Sequence, residues 1–219
     1  LRKYKEGVKL LDNNISKQLK EVFKKLEGKI SLEIFDSNHP KQKDLIALLQ
    51  EVSSTSDNIQ TGFFKETSPH PRVKIKNNGK DLGIIFSGIP GGHEFSSLVL
   101  SILYSDLKGK MPDQAILERI RNLKGSMSLR TYISLSCENC PEVVQHLNLM
   151  TAIKDNFSHE MIDGEFLPEE IEALNIQGVP SIFHNKELIH SGKISFINLL
   201  EKLEKKFGKS VKFNTIQNI

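Results

Sequence analysis

The chain is 219 residues long, 38% hydrophobic and 26% charged, a balance typical of a soluble globular protein with room for two domains. Its 30 basic and 27 acidic residues leave a net charge of only +3, with no Trp and three Tyr. This argues against nucleic-acid binding, which usually shows as a concentrated basic patch with stacking aromatics. No apolar stretch approaches the ~20 residues of a membrane span, and no secretory pattern opens the chain. We therefore expect a cytoplasmic protein without nucleic-acid or membrane partners.

The first half alternates between helical and strand-like patterns. Asn13-Asn14 resembles a helix N-cap, and the apolar residues that follow keep helical spacing until Gly28. Alternating apolar residues then predict a strand over residues 30–35. The further elements predicted in this half are a helix over 43–52, strands over 59–64, 72–76 and 82–86, and an apolar helix over 95–103.

The second half opens with a predicted helix over residues 111–123, with Pro112 near its start. The next strand, 127–135, runs directly toward the two cysteines of the chain. The elements predicted after them are a helix over 141–150, a strand over 157–162, a short helix over 168–174, a strand pair over 181–189 and a final helix over 196–207.

The two halves repeat the same order of elements: strand, turn, helix, strand, a proline-led strand pair, a glycine turn and a closing helix. Pro71 precedes its strand pair as Pro180 does, and the turn at residues 37–40 stands where the second half has its cysteines. Such a repeat favours two copies of one α/β fold, with chance similarity as the alternative. We expect copies at 10–124 and 125–207 and a tail or linker at 208–219.

The junction between the copies is predicted to be rigid. Residues 111–124 read as helix throughout, which leaves no flexible linker rich in Gly, Ser or Pro. We therefore expect one continuous sheet across the junction near Gly125.

Cys137 and Cys140 are the only cysteines of the chain. A bridge between them closes a tiny loop and constrains the unfolded chain little, so the pair is either catalytic or half of a metal site. A closed zinc site needs about four ligands, and neither His146 nor His159 offers a partner at ligand spacing. Redox chemistry is favoured, with a pair of idle thiols as the alternative.

The position of the pair between a strand and a helix favours disulfide exchange. A helix N-terminus carries roughly half a positive charge and unpaired N–H groups, which should hold the pKa of Cys137 below the free value of ~8.5. The Cys137 thiolate would attack a partner disulfide, and Cys140 would then resolve the mixed disulfide. Pro141 fits an early helical position, where a missing N–H costs nothing.

Gly178-Val179-Pro180 gives a second indication. In thioredoxin-like folds a loop of this form carries a cis proline opposite the cysteines and leaves backbone groups free to hold a substrate chain. We therefore predict that Val179 and Pro180 bind substrate, together with Glu138 and Asn139 from between the cysteines. A cis bond here is a hypothesis, since only ~5–6% of X–Pro bonds in folded proteins are cis.

Several runs of sequence resemble one family closely: LDNN at residues 11–14, GHEFSSLVL at 92–100, SLSCENCPEVVQ at 134–145 and LNLM at 147–150. They are similar to the N-terminal domain of AhpF, the flavoprotein component of bacterial alkyl hydroperoxide reductase, over roughly residues 10–205. The resemblance implies two tandem thioredoxin-like folds that share a continuous central sheet, with one active disulfide. It also implies a thiol–disulfide oxidoreductase that relays electrons from an NADH-dependent flavoprotein through Cys137 and Cys140 to a 2-Cys peroxiredoxin of the AhpC type, which destroys peroxides.

The sequence departs from the family after the second copy. In the family, a flavin- and NADH-binding reductase region follows this domain, whereas here the sequence ends at Ile219 and contains no G-x-G-x-x-G. We expect the chain to bind no cofactor itself, with FAD and NADH belonging to a separate or missing reductase region. The chain is then either an excised domain or a stand-alone carrier.

Glu94 is the remaining candidate catalytic residue. In the family's pattern a glutamate at this position lies near the disulfide, although it belongs to the inactive copy. A carboxylate there would disfavour a Cys137 thiolate, since like charges raise the pKa, but it could take the proton from Cys140 when that thiol attacks. The alternative is a first-turn glutamate that stabilises the helix starting at Phe95. His93 is predicted to be a loop or capping histidine.

Two other functions stay open at this point. A general protein-disulfide oxidoreductase of the double-thioredoxin type would act on many proteins, and its reduction potential would help to separate it from a dedicated carrier. A thioredoxin-fold binding module with idle cysteines would turn over no disulfide at all.

Overall fold

Eight strands form one sheet that runs through both halves of the chain. The computed structural model describes residues 11–208, and the elements below refer to that part of the chain. In chain order they are α1 (Asn13–Phe23), β1 (Ile30–Asp36), α2 (Gln42–Ser53), β2 (Ile59–Thr67), β3 (Arg72–Asn77), β4 (Lys80–Ser87), α3 (Phe95–Ser105), α4 (Gln114–Asn122), β5 (Met127–Ile133), α5 (Cys140–Ile153), β6 (Phe157–Asp163), α6 (Pro168–Ala173), β7 (Ser181–His184), β8 (Glu187–Ser191) and α7 (Phe196–Phe207). Short 3-10 turns at Gly92–Glu94 and Gly164–Phe166 precede α3 and α6.

The strand order is β2-β1-β3-β4-β6-β5-β7-β8. In each half the first strand pairs in parallel with the second and antiparallel with the third, and the third pairs antiparallel with the fourth. The halves join where β4 and β6 pair in parallel, from Ile84 beside His159 to Ser87 beside Ile162. The prediction of two copies of one α/β fold sharing a continuous sheet is confirmed.

Two predicted helices are shorter than the sequence pattern indicates, because side chains take over their end groups. Helix α1 ends at Phe23 rather than near Gly28, since the backbone N–H groups of Glu27 and Gly28 donate to Asp106 instead of continuing the helix. Helix α4 begins at Gln114 rather than at residue 111, because Asp113 is its N-cap and accepts from the Ile116 N–H at 2.9 Å. The all-helical connection over residues 111–124 is therefore wrong, and strand pairing joins the copies instead.

One face of the sheet carries a core that crosses the boundary between the copies. Buried side chains of the first copy, such as Leu98 and Ile102 of α3, belong to the same cluster as Val144 of α5 and Met161 of β6. Helices α3 and α5 pack against each other on this face. The two copies therefore bury much of their apolar surface together, which ties the stability of one to the other.

A chain of buried hydrogen bonds lies beside this core. Asn148 of α5 donates its side-chain N–H to Ser101 of α3 at 2.8 Å, so its Oδ1 accepts from Nδ1–H of His159 at 2.6 Å. Nε2 of His159 then accepts from the Thr131 hydroxyl at 2.7 Å. All four residues are fully buried. Burial lowers the pKa of His159 to about 3, and the neutral ring has both nitrogens satisfied.

The opposite face of the sheet is bridged by ionic contacts around Glu160 of β6. Its carboxylate accepts from the Ser87 hydroxyl at 2.5 Å and lies 3.0 Å from Arg72 and 3.4 Å from Arg130. Helix α6 covers part of this face over Tyr132 and neighbouring apolar residues. The first copy has no counterpart of α6, because only residues 68–71 connect β2 to β3.

Gly83 is predicted to be a stability-determining position at the junction of the copies. It has φ of +75°, and a Cβ there would lie 2.8 Å from the Phe157 carbonyl oxygen and 3.0 Å from the Ser158 Cα, both of which are backbone atoms. We expect Gly83→Ala to lower the free energy of unfolding by roughly 2–4 kcal/mol, as measured by urea denaturation. Gly79 is the matched control: its φ is +80°, but nothing lies within 4 Å of its Cβ position, so Gly79→Ala should cost only about 1 kcal/mol. Equal losses would show that the close approach to β6 has no weight.

Candidate active site

The cysteines lie in the loop between β5 and α5. Strand β5 ends at Ile133, two residues before the predicted end, because the chain turns here and the Cys137 N–H donates to the Ser134 carbonyl at 2.9 Å. Helix α5 begins at Cys140, so Cys137 precedes the helix rather than lying in its first turn. The two residues form a disulfide with their Cα atoms 5.5 Å apart. Cys140 is fully buried, whereas Cys137 is partly exposed.

The N-terminus of α5 provides the electrostatic setting for these sulfurs. The helix has 14 residues, and Asn139 at its N-cap makes no side-chain hydrogen bond to the first-turn N–H groups. Pro141 occupies the first turn, as predicted from its missing N–H. The positive end of the helix is thus directed at the loop that carries Cys137, which favours a thiolate there after reduction.

The proline loop lies opposite the cysteines. The Val179–Pro180 peptide bond is cis, in agreement with the hypothesis from the sequence. Sγ of Cys137 lies 3.7 Å from the Val179 carbonyl oxygen, Val179 is partly exposed, and Pro180 is buried. Glu138 and Asn139 are both exposed beside this contact. The structure brings all four predicted substrate-binding residues to the rim of the disulfide, and their contact with a partner stays a prediction.

A cleft of about 520 Å³ opens beside the disulfide. Residues on either side of Cys137 in space, Ser136 and Val179, both line it. Its other lining residues come from the end of β5, the end of β6 with the turn after it, and the segment before the proline: Ile133, Ser134, Leu135, Asp163, Gly164, Glu165, Ile171, Ile176, Gln177 and Gly178.

Glu94 is fully buried at the end of the 3-10 turn before α3. Its side chain makes no capping hydrogen bond to that helix, so the helix-start alternative lacks the contact that capping would use. Burial raises the pKa of Glu94 to about 7; the Ser97 hydroxyl lowers it and the charge of Asp163 raises it further. Ser97 is too poorly placed for a full hydrogen bond, and within residues 11–208 neither carboxylate oxygen has such a partner.

The turn that carries Glu94 presses against the cysteine loop. The His93 N–H donates to the Leu135 carbonyl at 3.4 Å, and a Cβ at Gly92, whose φ is +53°, would lie 3.1 Å from the same oxygen. Leu135 comes two residues before Cys137, and both cysteines pack against the core of the first copy. Glu94 therefore reaches the surroundings of the disulfide from the other copy. His93 is exposed, as expected of a loop histidine.

Comparisons with known proteins agree with this arrangement. The family model for the thioredoxin domain matches residues 127–205, the copy with the cysteines. The alkyl hydroperoxide reductase flavoprotein AhpF of Staphylococcus aureus strain N315 is 38% identical over 194 residues, which is 89% of this chain and 38% of that protein. A solved structure of the N-terminal domain of AhpF from Enterococcus faecalis superimposes with a TM-score of 0.82 at 26% identity, and the match covers 88% of this chain and 99% of that chain. The chain is homologous to the N-terminal domain of AhpF.

The homology confirms the tandem thioredoxin-like fold and identifies Cys137 and Cys140 as the disulfide of a thiol–disulfide oxidoreductase. The chain spans little more than a third of the curated relatives that it matches. One of them, from Bacillus subtilis strain 168, is named NADH dehydrogenase; it is 36% identical over 89% of this chain and 38% of its own length.

The first copy keeps the outline of the AhpF disulfide site without its chemistry. A pocket of about 490 Å³ lies at the turn that replaces the cysteines, lined by residues 36–39 and 67–69. Phe166 of the second copy packs edge-on against His39, with ring centroids 5.2 Å apart, and Lys41 pairs with Glu165 at 2.8 Å. The turn after β6 therefore docks on the inactive site while its other side lines the active cleft.

Asp163 is a second buried carboxylate near the disulfide of this AhpF homologue, and sequence reasoning missed it. It is the last residue of β6, it is 3% exposed, and it lines the cleft. Its signal in the sequence is an acidic residue that directly follows the apolar pair Met161-Ile162 at the carboxyl end of a central parallel strand, where ligand sites of open α/β sheets lie.

Metal ligands are not grouped in the described part of the chain: no three His, Cys, Asp or Glu side chains there could hold a metal ion together. None of the helices in that part is long and apolar enough to cross a membrane.

Proposed function

We propose that this chain is a dithiol carrier that takes electrons from an NADH-dependent flavoprotein reductase and passes them to a 2-Cys peroxiredoxin of the AhpC type. The observation that carries the proposal is the Cys137–Cys140 disulfide opposite the cis Val179–Pro180 bond, in a chain homologous to the N-terminal domain of AhpF. The expected product of the whole relay is peroxide reduction.

The relay consists of two disulfide exchanges. The reductase supplies two electrons and two protons, which convert the Cys137–Cys140 disulfide into two thiols. The Cys137 thiolate then attacks the peroxiredoxin disulfide, so that a mixed disulfide forms and one peroxiredoxin sulfur leaves and takes a proton. Cys140 attacks Cys137 in turn, which restores the original disulfide and releases the second peroxiredoxin sulfur as a thiol.

Glu94 is proposed as the proton acceptor in the last exchange. Cys140 is fully buried, so water is poorly placed to take its proton. A carboxyl group whose pKa is raised to about 7 by burial is matched to accepting a proton near neutral pH. The proton would pass from the Cys140 thiol to Glu94 as the sulfur attacks, and return with the next reduction.

The two copies have different proposed roles. Residues 125–207 form the exchange domain, with Val179, Pro180, Glu138 and Asn139 holding the partner chain. Residues 10–124 supply Glu94 and half of the shared core. We propose residues 208–219 as a tail or linker; apart from Gly208 they lie outside the described residues. FAD and NADH are assigned to the reductase region, on a separate polypeptide or segment, and none to this chain.

A single-turnover experiment separates the proposed function from its alternatives. The reduced protein is mixed with excess oxidised 2-Cys peroxiredoxin or with insulin, and loss of its thiols is followed in time. We expect the second-order rate constant to be at least about tenfold higher for the peroxiredoxin, because a dedicated carrier discriminates between partners. Equal rates would favour the general protein-disulfide oxidoreductase. No reaction with either would leave only the binding module.

A further inference from the structure

Asp163 lies at the point where the second copy approaches its own cysteine loop. In the sheet it is paired in register with Ile133, the last residue of β5. The segment that leaves Ile133 leads to Cys137 within four residues. Asp163 lines the same cleft as Ser134, Leu135 and Ser136 of that segment.

The carboxylate of Asp163 is kept in an unfavourable setting. One oxygen, Oδ1, accepts from the Glu165 N–H at 3.2 Å, but within residues 11–208 the buried Oδ2 has no hydrogen-bond partner. A buried carboxylate oxygen without a partner costs free energy, because water would have hydrogen-bonded to it. A group retained at this cost beside a reactive bond is a candidate for a role in the reaction.

Glu94 reaches the same segment from the opposite copy. Its turn contacts the Leu135 carbonyl oxygen through the His93 N–H, while Asp163 shares the cleft with Leu135. Both carboxylates are at least nine-tenths buried, and each has an oxygen without a full hydrogen bond among the described residues. Two carboxylates, one from each copy, therefore flank the segment that carries Cys137.

The charges around this pair act in a definite direction. Burial raises the pKa of Asp163, the negative charge of Glu165 adds to that effect, and the positive charge of Lys41 opposes it. Negative charge on Asp163 in turn raises the pKa of Glu94, while the Ser97 hydroxyl lowers it. Lys41 and Glu165 pair with each other at the exposed rim, so their opposite charges largely cancel at the buried pair.

We propose that Asp163 is a positioning residue for proton transfer at the disulfide: its carboxylate sets the proton affinity of Glu94, and thereby the pH at which Glu94 accepts the proton of Cys140. The inference rests on the proposed function, since it assigns a regulator to that reaction. The step is an exchange without added reactants. The S–H bond of Cys140 breaks, its proton moves to Glu94, a Cys140–Cys137 bond forms and the partner sulfur leaves.

The test is Asp163→Asn, which keeps the shape of the side chain and removes its charge. We expect the pH midpoint of Glu94 to fall by about half a unit to one unit, because a negative neighbour has been removed. Two measurements report it: the 13C shift of the Glu94 carboxyl carbon during titration of the oxidised protein, and the pH profile of single-turnover exchange. Glu165→Gln is the matched control. It removes a carboxylate from the rim of the same cleft and should leave both midpoints in place.

Three outcomes decide between the possibilities. Unchanged midpoints in Asp163→Asn would overturn the inference. Equal shifts in Asp163→Asn and Asp163→Glu, which keeps the charge, would also overturn it, because the residue would then act only through packing. Glu94→Gln tests the proposed function separately: if it retains the wild-type pH profile, Glu94 is not the acceptor, while the carbon titration still reports whether Asp163 couples to it.

Discussion

Cys140→Ser protein, reduced and mixed with an oxidised 2-Cys peroxiredoxin, should accumulate a covalent complex through Cys137. Cys137 is the partly exposed sulfur beside the proline loop, so it can reach a partner disulfide. Without Cys140 the mixed disulfide has no internal thiol to resolve it. Cys137→Ser should form no complex, because Cys140 is fully buried. Both variants should lose catalytic turnover, and non-reducing gels with mass spectrometry of the linked peptide measure the complex.

The reciprocal pair of variants makes this expectation specific. The double variant lacking both cysteines should bind no partner covalently and controls for other linkages. A complex trapped by Cys137→Ser rather than by Cys140→Ser would mean that the attacking residue has been misassigned. That result would also require the buried sulfur to become exposed on reduction.

Mild acid should destabilise the protein through one buried histidine. Burial lowers the pKa of His159 to about 3, whereas an unfolded chain has a histidine pKa near 6.5. The stability that follows from this difference is complete above about pH 6.5 and is lost as the pH falls toward 3, because the unfolded state binds the proton more readily. Between pH 7 and pH 4.5 we expect His159 to account for a loss of about 2–3 kcal/mol in the free energy of unfolding.

His159→Gln isolates this contribution from the other groups that titrate in the same range. The variant should be less stable than wild type at pH 7, because Thr131 and Asn148 lose well-matched partners. The difference in the free energy of unfolding between the two proteins should shrink as the pH falls, since only wild type has a buried ring to protonate. His184→Gln, at a partly exposed histidine of β7, should show a constant difference. Parallel curves for wild type and His159→Gln would refute the assignment.

The sequence predicted what depends on local patterns. Helix α7 has the bounds that its apolar spacing indicates, the glycine turn between β3 and β4 lies where expected, and the cysteine motif points to the correct loop. Contacts between distant residues were not predicted. The end of α1 depends on Asp106, about 80 residues away, and the joining of β4 to β6 depends on two strands that show no pairing preference in sequence.

The candidate site divides in the same way. Cys137, Cys140 and the proline loop carry recognisable motifs, so sequence alone brings them together. Glu94 was reached only through a family resemblance, because nothing local indicates that its side chain is buried. Asp163 was missed because its importance depends on a cleft formed by three separate segments. Periodicity describes the surroundings of a residue along its own element and not across the sheet.

The shared core has a consequence for how such a protein can change over time. The turn at residues 37–40 shows that the first copy needs no cysteines, yet the second copy depends on it for the cover over α5, for the neighbour of β6 and for Ser101. A gene shortened to residues 125–207 would encode a protein with an exposed apolar helix face and an open strand edge, a combination that promotes aggregation. The inactive copy is free to lose its reaction, but it cannot be deleted.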